Sequence, residues 1–301
     1  CVPRAGSDKW LVVDCIPCDP AADVSLVTRD VRELARKLSS VDPFTFGILQ
    51  CRGVVRVVDP SNKKPSSFDF VFQIPRELSI EPRSLRGYLS SHFNHTLTDR
   101  FQLAKQLAKS ISYVHTLDFV HKNIRPETVL GFETSDSAFG LFFLVGFEKV
   151  RTADGRTRRS GDSAWEKNLY RHPYRQGLSP EDIYTMQHDI YSLGVCLLEV
   201  GMWESFVLYE DGVTAPLPAP ALGITLDSPE FRQPVLMKEN LIALAKHDLP
   251  KRMGERYKEV VVNCLTCLDE DNADFGDQSE FEDLDGVLVG VKYIEKVLFT
   301  T

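Results

Sequence analysis

The chain has no apolar run approaching the roughly 20 residues that cross a bilayer, no block of positive charge, no internal repeat and no low-complexity linker. The first absence leaves no candidate for a spanning helix, and no membrane contact is expected. A formal charge of -8 over 301 residues runs against the clustered basic face that nucleic acid requires, so no nucleic-acid partner is expected. Cysteine is sparse and odd in number, seven in all, which is not a disulfide framework and fits a reducing, cytoplasmic setting. Cys15-x-x-Cys18 and Cys264-x-x-Cys267 have the spacing of zinc half-sites. The second pair lies in the apolar run from Val260 to Leu268, where cysteine behaves as a small hydrophobe, so no metal is assigned to either. The chain begins with Cys1, with no charged and apolar leader behind it, and is expected to be a piece of a longer protein.

What is present is an ordinary globular composition, 43% hydrophobic and 26% charged. The acid is concentrated: residues 269–285 carry nine carboxylates and no Lys or Arg, and read as a solvated acidic loop. Near the start, Lys9 to Ile16 is β-rich, and a helical pattern follows with Val31, Leu34, Ala35, Leu38 and Val41 on one face. Two further β-rich runs, Phe46 to Val58 and Phe68 to Ile74, are separated by the turn-forming Asp59-Pro60-Ser61-Asn62. Leu103, Leu107, Ile111 and Val114 define a long amphipathic helix over 97–117. Ile190 to Val200 is apolar almost all round, as in a helix buried at the centre of a domain. Leu241 to Ala245, Tyr257 to Leu268 and Val287 to Leu298 supply three more helical candidates. The expected class is α+β, with a small β-rich lobe over 1–75 and a larger, mainly helical lobe over 76–301.

The most informative stretch is His121-Lys122-Asn123-Ile124-Arg125-Pro126-Glu127-Thr128-Val129-Leu130. It resembles the catalytic loop of protein kinases, H-R-D-L-x-x-x-N, whose Asp positions the substrate hydroxyl and whose Asn holds magnesium. Asn123 stands at the Asp position and Thr128 at the Asn position. An amide does not accept a proton near neutral pH, and one hydroxyl is a poor ligand for a hard divalent cation. Further pieces follow in kinase order. Ser84 to Leu89 resembles the helix after the hinge, and Tyr113 to Leu117 the end of the helix before the loop. Leu144-Val145-Gly146-Phe147-Glu148 falls at D-F-G, Tyr170-Arg171-His172-Pro173-Tyr174 at Y-R-A-P-E, and Asp189-Ile190-Tyr191 at the start of the central buried helix.

The resemblance implies a degenerate, two-lobed kinase-like fold, a pseudokinase. His121, Phe147 and Asp189 would be retained framework residues, with Asp189 bonding the loop backbone and His121 stacking on Phe147. Gly146 would replace the metal-binding Asp, and Arg125 the catalytic-loop lysine, leaving a guanidinium that can still meet phosphate. The glycine-rich loop is missing, and the lysine expected within Val12 to Ile16 is replaced by residues such as Asp14, which would repel phosphate. Glu33 stands near that lysine's usual partner. The resemblance therefore implies an inactive homologue with no cofactor, neither ATP nor magnesium being expected, although Gln73-Ile74-Pro75 occupies the approximate hinge. The 148–171 segment resembles an activation loop and offers Thr152, Thr157, Ser160 and Ser163 for modification beside Arg151, Arg156, Arg158 and Arg159. Three phrases, at 168–173, 249–257 and 289–298, look like fungal kinase-like domains that accompany HeLo prion-inhibition domains in regulated cell death. The implied function is a regulatory or scaffolding module that binds a protein partner or a neighbouring domain of its own chain. The alternative is an atypical kinase or nucleotide-binding domain with relocated groups, a carboxylate coming from Asp14, Asp118, Asp154 or Asp162.

Overall fold

A computed structural model describes residues 2–3, 10–18, 23–61, 63–91, 95–134, 137–147, 163–177, 180, 184–210, 212, 215–272 and 275. The N-terminal part is a four-stranded antiparallel sheet in the order β1-β2-β4-β3, formed by β1 (Val2–Pro3), β2 (Trp10–Pro17), β3 (Gln50–Val58) and β4 (Pro65–Gln73). The period-two alternation of Phe68, Phe70 and Phe72 buries three rings on one face of β4, because successive side chains of a strand point to opposite faces. Helix α1 (Val24–Leu38), capped by the Asp23 carboxylate, contributes Val31, Leu34 and Leu38 to the same core.

The strand anticipated from Phe46 begins only at Gln50. Residues Pro43–Phe46 form a short helix, α2, because Asp42 caps it, Pro43 fits its first turn and Gly47, at φ +62°, ends it in the left-handed region. Phe46 then stacks on Tyr113, centroids 4.2 Å apart, rather than pairing in the sheet.

A three-stranded sheet of β5 (Arg83–Ser84), β6 (Val129–Thr134) and β7 (Ser137–Leu144) lies beside α3 (Leu85–Leu89) and α4 (Leu97–Thr116). Helix α4 starts on a Thr96–Asp99 capping box and buries Leu103, Leu107, Ile111 and Val114. After α5 (Trp165–Asn168), helix α6 (Met186–Met202) is buried along its whole length. A two-residue hairpin, β8 (Val207–Leu208) with β9 (Leu217–Pro218), precedes α7 (Pro234–Met253) and α8 (Glu255–Leu265). Helix α7 is four times the length of the apolar run that announced it, since its polar residues other than the buried Lys238 reach the surface and hide the pattern. The proposed helix at 287–298 and most of the acidic loop 269–285 lie outside the described residues.

Two hydrophobic clusters organise the chain. One surrounds α6, with α4, α7 and α8 packed on it; the other lies between the N-terminal sheet and α1. The second also takes in Val114, Phe119, Phe132, Phe143, Val145 and Phe147, so side chains from beyond position 75 complete the core of the N-terminal sheet. Cys264 and Cys267 are buried among apolar side chains, and no metal-binding group of His, Cys, Asp or Glu occurs among the described residues. No helix among them is long and apolar enough to cross a membrane.

Candidate functional site

The site assembles where the chain leaving α4, the turn before β6 and the chain leaving β7 meet the first turn of α6. Asp189, fully buried, accepts from the backbone N–H groups of His121 at 2.7 Å and Lys122 at 2.9 Å, and from the Tyr184 hydroxyl at 2.6 Å; His115 Nε2 lies 3.1 Å away. Burial works to raise the Asp189 pKa, but the His115 bond, the neighbouring imidazoles and Tyr184 together hold it below the ordinary carboxylate value. The anchored backbone is one a side chain resists: Lys122 sits at φ +68°.

His121 is completely buried, which pushes its pKa down to about 4, so its ring is neutral. Its Nδ1 faces the Asn123 N–H at 3.3 Å, so Nε2 carries the proton and donates to the Val145 carbonyl at 3.1 Å. The same ring packs on Phe147 with centroids 4.4 Å apart. These contacts tie 121–123 to 145–147.

The substituted positions bond to one another. Asn123 Nδ2 donates to the Gly146 carbonyl at 2.8 Å, and Asn123 Oδ1 accepts from Arg125 Nε at 3.0 Å. Arg125 also reaches Glu127 at 3.8 Å. Thr128 Oγ1 lies 2.8 Å from the Asn123 carbonyl and 2.9 Å from that of Arg125. Gly146 adopts φ +80°, and a Cβ there would stand 2.6 Å from the Thr128 methyl, so the small residue and the threonine fit as a pair.

From the N-terminal sheet, Asp14 on β2 accepts from the Gly146 N–H at 2.8 Å and the Phe147 N–H at 3.2 Å. Burial raises its pKa, and these two bonds oppose the rise. The sequence marked Asp14 as a charge unfavourable to phosphate and as one candidate for a relocated carboxylate; its further role, joining β2 to the segment after β7, needs a contact across 132 residues that no local pattern reveals.

Other predicted positions stand apart. Glu33 forms an ion pair with Lys37 at 3.4 Å, one turn along α1. Gln73 Oε1 accepts from Arg52, the Ile74 N–H donates to the Trp10 carbonyl at 3.2 Å, and the Pro75 carbonyl accepts from Leu78, so these hinge groups already have partners. Asp118 is exposed in the turn after α4, and Ser163 is exposed before α5. Thr152, Thr157, Ser160, Asp154 and Asp162 lie outside the described residues.

Sequence reasoning missed a buried ionic cluster beneath the site. Arg86 donates to Glu127 at 3.1 Å, Glu199 at 2.5 Å, Ser205 at 2.8 Å and the Tyr170 hydroxyl, while Tyr170 donates to Glu199 at 2.8 Å. Burial acts against the guanidinium charge, but Glu199, Tyr170 and Glu127 outweigh it and raise the Arg86 pKa. The available signal was Glu199 itself, the one carboxylate within the apolar run from Ile190 to Val200.

No protein-family model matches the chain. A probable serine/threonine-protein kinase of Dictyostelium discoideum is 26% identical over 141 residues, 45% of this chain and 8% of that much longer protein. The similarity is kinase-like and partial. It corrects the expectation of an inactive homologue: the curated relative carries the name of a probable kinase, and that similarity does not show inactivity.

Proposed function

We propose that the chain is a two-lobed, kinase-like domain that acts as a regulatory or scaffolding module, engaging a protein partner or a neighbouring domain of its own chain. The observation that carries this reading is the mutual bonding of Asp14, Asn123, Arg125, Thr128 and the Gly146 backbone. The polar groups at the meeting point of the two cores serve to hold those cores together, and a domain whose halves are so linked can report a contact on one of them to the other. The three fungal-like phrases support a setting beside a HeLo domain, and they are the whole of that support. Cross-linking mass spectrometry on the full-length protein tests the module reading. Cross-links from 148–171 or 269–285 to one partner or one neighbouring domain are expected; cross-links confined to this domain would refute it.

The similarity to a probable kinase favours a second reading, an atypical kinase or nucleotide-binding domain in which Asp14 supplies the relocated carboxylate. Of the two considered carboxylates that lie among the described residues, Asp14 and Asp118, Asp14 bonds the Gly146 N–H. Metal-dependent phosphoryl transfer that disappears in Asp14→Asn would establish this reading, and transfer unaffected by that variant would remove Asp14 from it.

A further inference from the structure

Strand β3 is an edge of the N-terminal sheet: β4 pairs with one side of it, and no strand among the described residues pairs with the other. The direction of its backbone groups follows from its neighbour. The Cys18 N–H donates to the Ser66 carbonyl and the Ile74 N–H to the Trp10 carbonyl, so the even-numbered residues of β4 turn their backbone groups toward β2. Asp69 and Val71 turn theirs toward β3, where they meet Val55 and Gly53. Val54 and Arg56 therefore aim both N–H groups and both carbonyls away from the sheet, and no partner among the described residues takes them. Open edges are ordinarily blunted by charge, proline or a bulge. The irregularities of β3 fall at Cys51/Gly53 and Val57/Val58, which leaves Gly53 to Val57 regular and without proline.

A second observation is the division of side chains between the two faces of this edge, which follows from the alternation of a strand. Val55 and Val57 stand on the face of Asp69 and Ser67 and are 55% and 37% exposed. Arg56 stands on the other face, opposite Phe68, is exposed, and has no carboxylate partner among the described residues. Lys63, in the connection to β4, is likewise exposed and without a carboxylate, and Arg52 bonds the neutral Gln73. Asp69, which accepts from the Ser67 hydroxyl, repels negative charge on the valine face, so an anionic side chain is drawn to the Arg56 face alone.

We infer that the edge of β3 receives an extended acidic segment of a protein partner, which adds to the sheet as a further strand. Its backbone bonds the outward groups of Val54 and Arg56, its apolar residues lie beside Val55 and Val57, and Asp or Glu residues alternating with them face Arg56, with Arg52 and Lys63 at the two ends. Main-chain bonds supply the attachment and the alternating side chains the selectivity. A second copy of this chain is disfavoured, because it would bring its own Arg52, Arg56 and Lys63 against the same edge. The inference rests on the module reading for the existence of a partner and gives that partner a chemistry.

Fluorescence anisotropy on the intact chain tests it with the labelled peptide Gly-Glu-Val-Glu-Val-Glu-Gly, a counterpart with Lys for every Glu, and two N-methylated forms. In the inferred register the Glu N–H groups face β3 and the Val N–H groups face away. Saturable binding of the parent peptide is expected, kept when both Val nitrogens are methylated, lost when the three Glu nitrogens are methylated, and weak for the Lys counterpart. Arg56→Glu is expected to weaken it roughly tenfold or more, and high salt to weaken it as well. Arg56 is on the surface, and an unchanged melting midpoint confirms that the variant is folded. No saturable binding, equal loss from either pattern of methylation, or unchanged affinity in Arg56→Glu overturns the inference. A solution mass that halves when the peptide is added would put a second copy on the edge and overturns it too. If these peptide results fail while cross-links from 148–171 or 269–285 to a partner persist, the edge is wrong and the module reading stands; if the cross-links are also absent, both fall.

Discussion

Acidification from pH 7 to pH 5 is expected to cost this fold a large part of its stability, through three histidines rather than through carboxylates. Burial pushes the pKa of His121 down to about 4 and those of His172 and His188 to about 3. In an unfolded chain each would titrate near 6.5. The folded state therefore binds fewer protons than the unfolded state in the window between those values, so stability is complete above about pH 6.5 and declines as the pH falls below it. Integrating from pH 7 to pH 5 gives about 2 kcal/mol for each histidine, and about 5 to 6 kcal/mol for the three together. That is comparable with the whole stability of many domains, ~5 to 15 kcal/mol. Asp14 acts with the opposite sign, because its pKa is raised in the fold and protonation there favours the native state. Its partial exposure makes that offset small. Urea denaturation at half-unit pH intervals measures the slope. His188→Gln, which keeps an acceptor for the Thr185 N–H, is expected to recover about 2 kcal/mol of the loss regardless of its effect at pH 8. A stability that is flat between pH 7 and pH 5.5, or a His188→Gln profile parallel to the parent, would refute the reasoning.

Three further outcomes concern the site. Asp189→Ala strands two backbone N–H groups and a tyrosine hydroxyl in a dry interior and is expected to destabilise by about 3 to 5 kcal/mol in urea titrations, whereas Tyr184→Phe, which removes one donor, costs roughly 1 to 2 kcal/mol. Asp14→Asn keeps an acceptor for Gly146 and Phe147 without an ionised group and is expected within about 1 kcal/mol of the parent at pH 7, while Asp14→Leu loses both bonds and melts several degrees lower. Gly146→Ala places a methyl against Thr128 in a left-handed backbone and is expected to cost about 1 to 3 kcal/mol; adding Thr128→Ser, which removes the opposing methyl and keeps the hydroxyl, recovers only the steric part, as a double-mutant cycle would show.

The elements most legible in the sequence are those whose signal is local. The β-rich run from Phe68 to Ile74, the helical stripe of Val31, Leu34 and Leu38, and the nearly all-round apolar character of Ile190 to Val200 are each local signals, and a strand or helix is found at each. Phe46 was misplaced because the β-rich run drawn from Phe46 passed through Gly47, whereas the Asp42 cap, Pro43 in the first turn and the left-handed Gly47 make a helical turn there. The candidate site was legible as a set of positions: residues 121–128, 146–147 and 189 meet in space. Their bonding was not, because Asp14 to Gly146 and Arg86 to Glu199 join segments more than a hundred residues apart, and charge pairing across that distance leaves no trace in spacing or composition.

What the local bonding implies for ligands follows from the accounting of donors. Arg125 brings a guanidinium to the Asn123–Gly146 junction, and its Nε is committed to Asn123 Oδ1 while a terminal nitrogen approaches Glu127. A phosphate that recruits Arg125 must replace a hydrogen bond at Nε and compete with Glu127 for the charge. Each hydrogen bond surrendered to a charged group is worth roughly 1.5 to 3 kcal/mol, about one to two orders of magnitude in affinity. Asn123→Ala releases Nε and also frees the Gly146 carbonyl, so it lowers the first cost while loosening the junction that Asp14 and His121 hold from either side. If the junction is the link between the two cores, phosphate affinity in Asn123→Ala rises while cooperativity of unfolding falls, seen as a smaller denaturant m-value. A gain in affinity with an unchanged m-value would show instead that Asn123 restrains Arg125 alone and that the link between the cores is carried by Asp14 and by the His121–Phe147 stack.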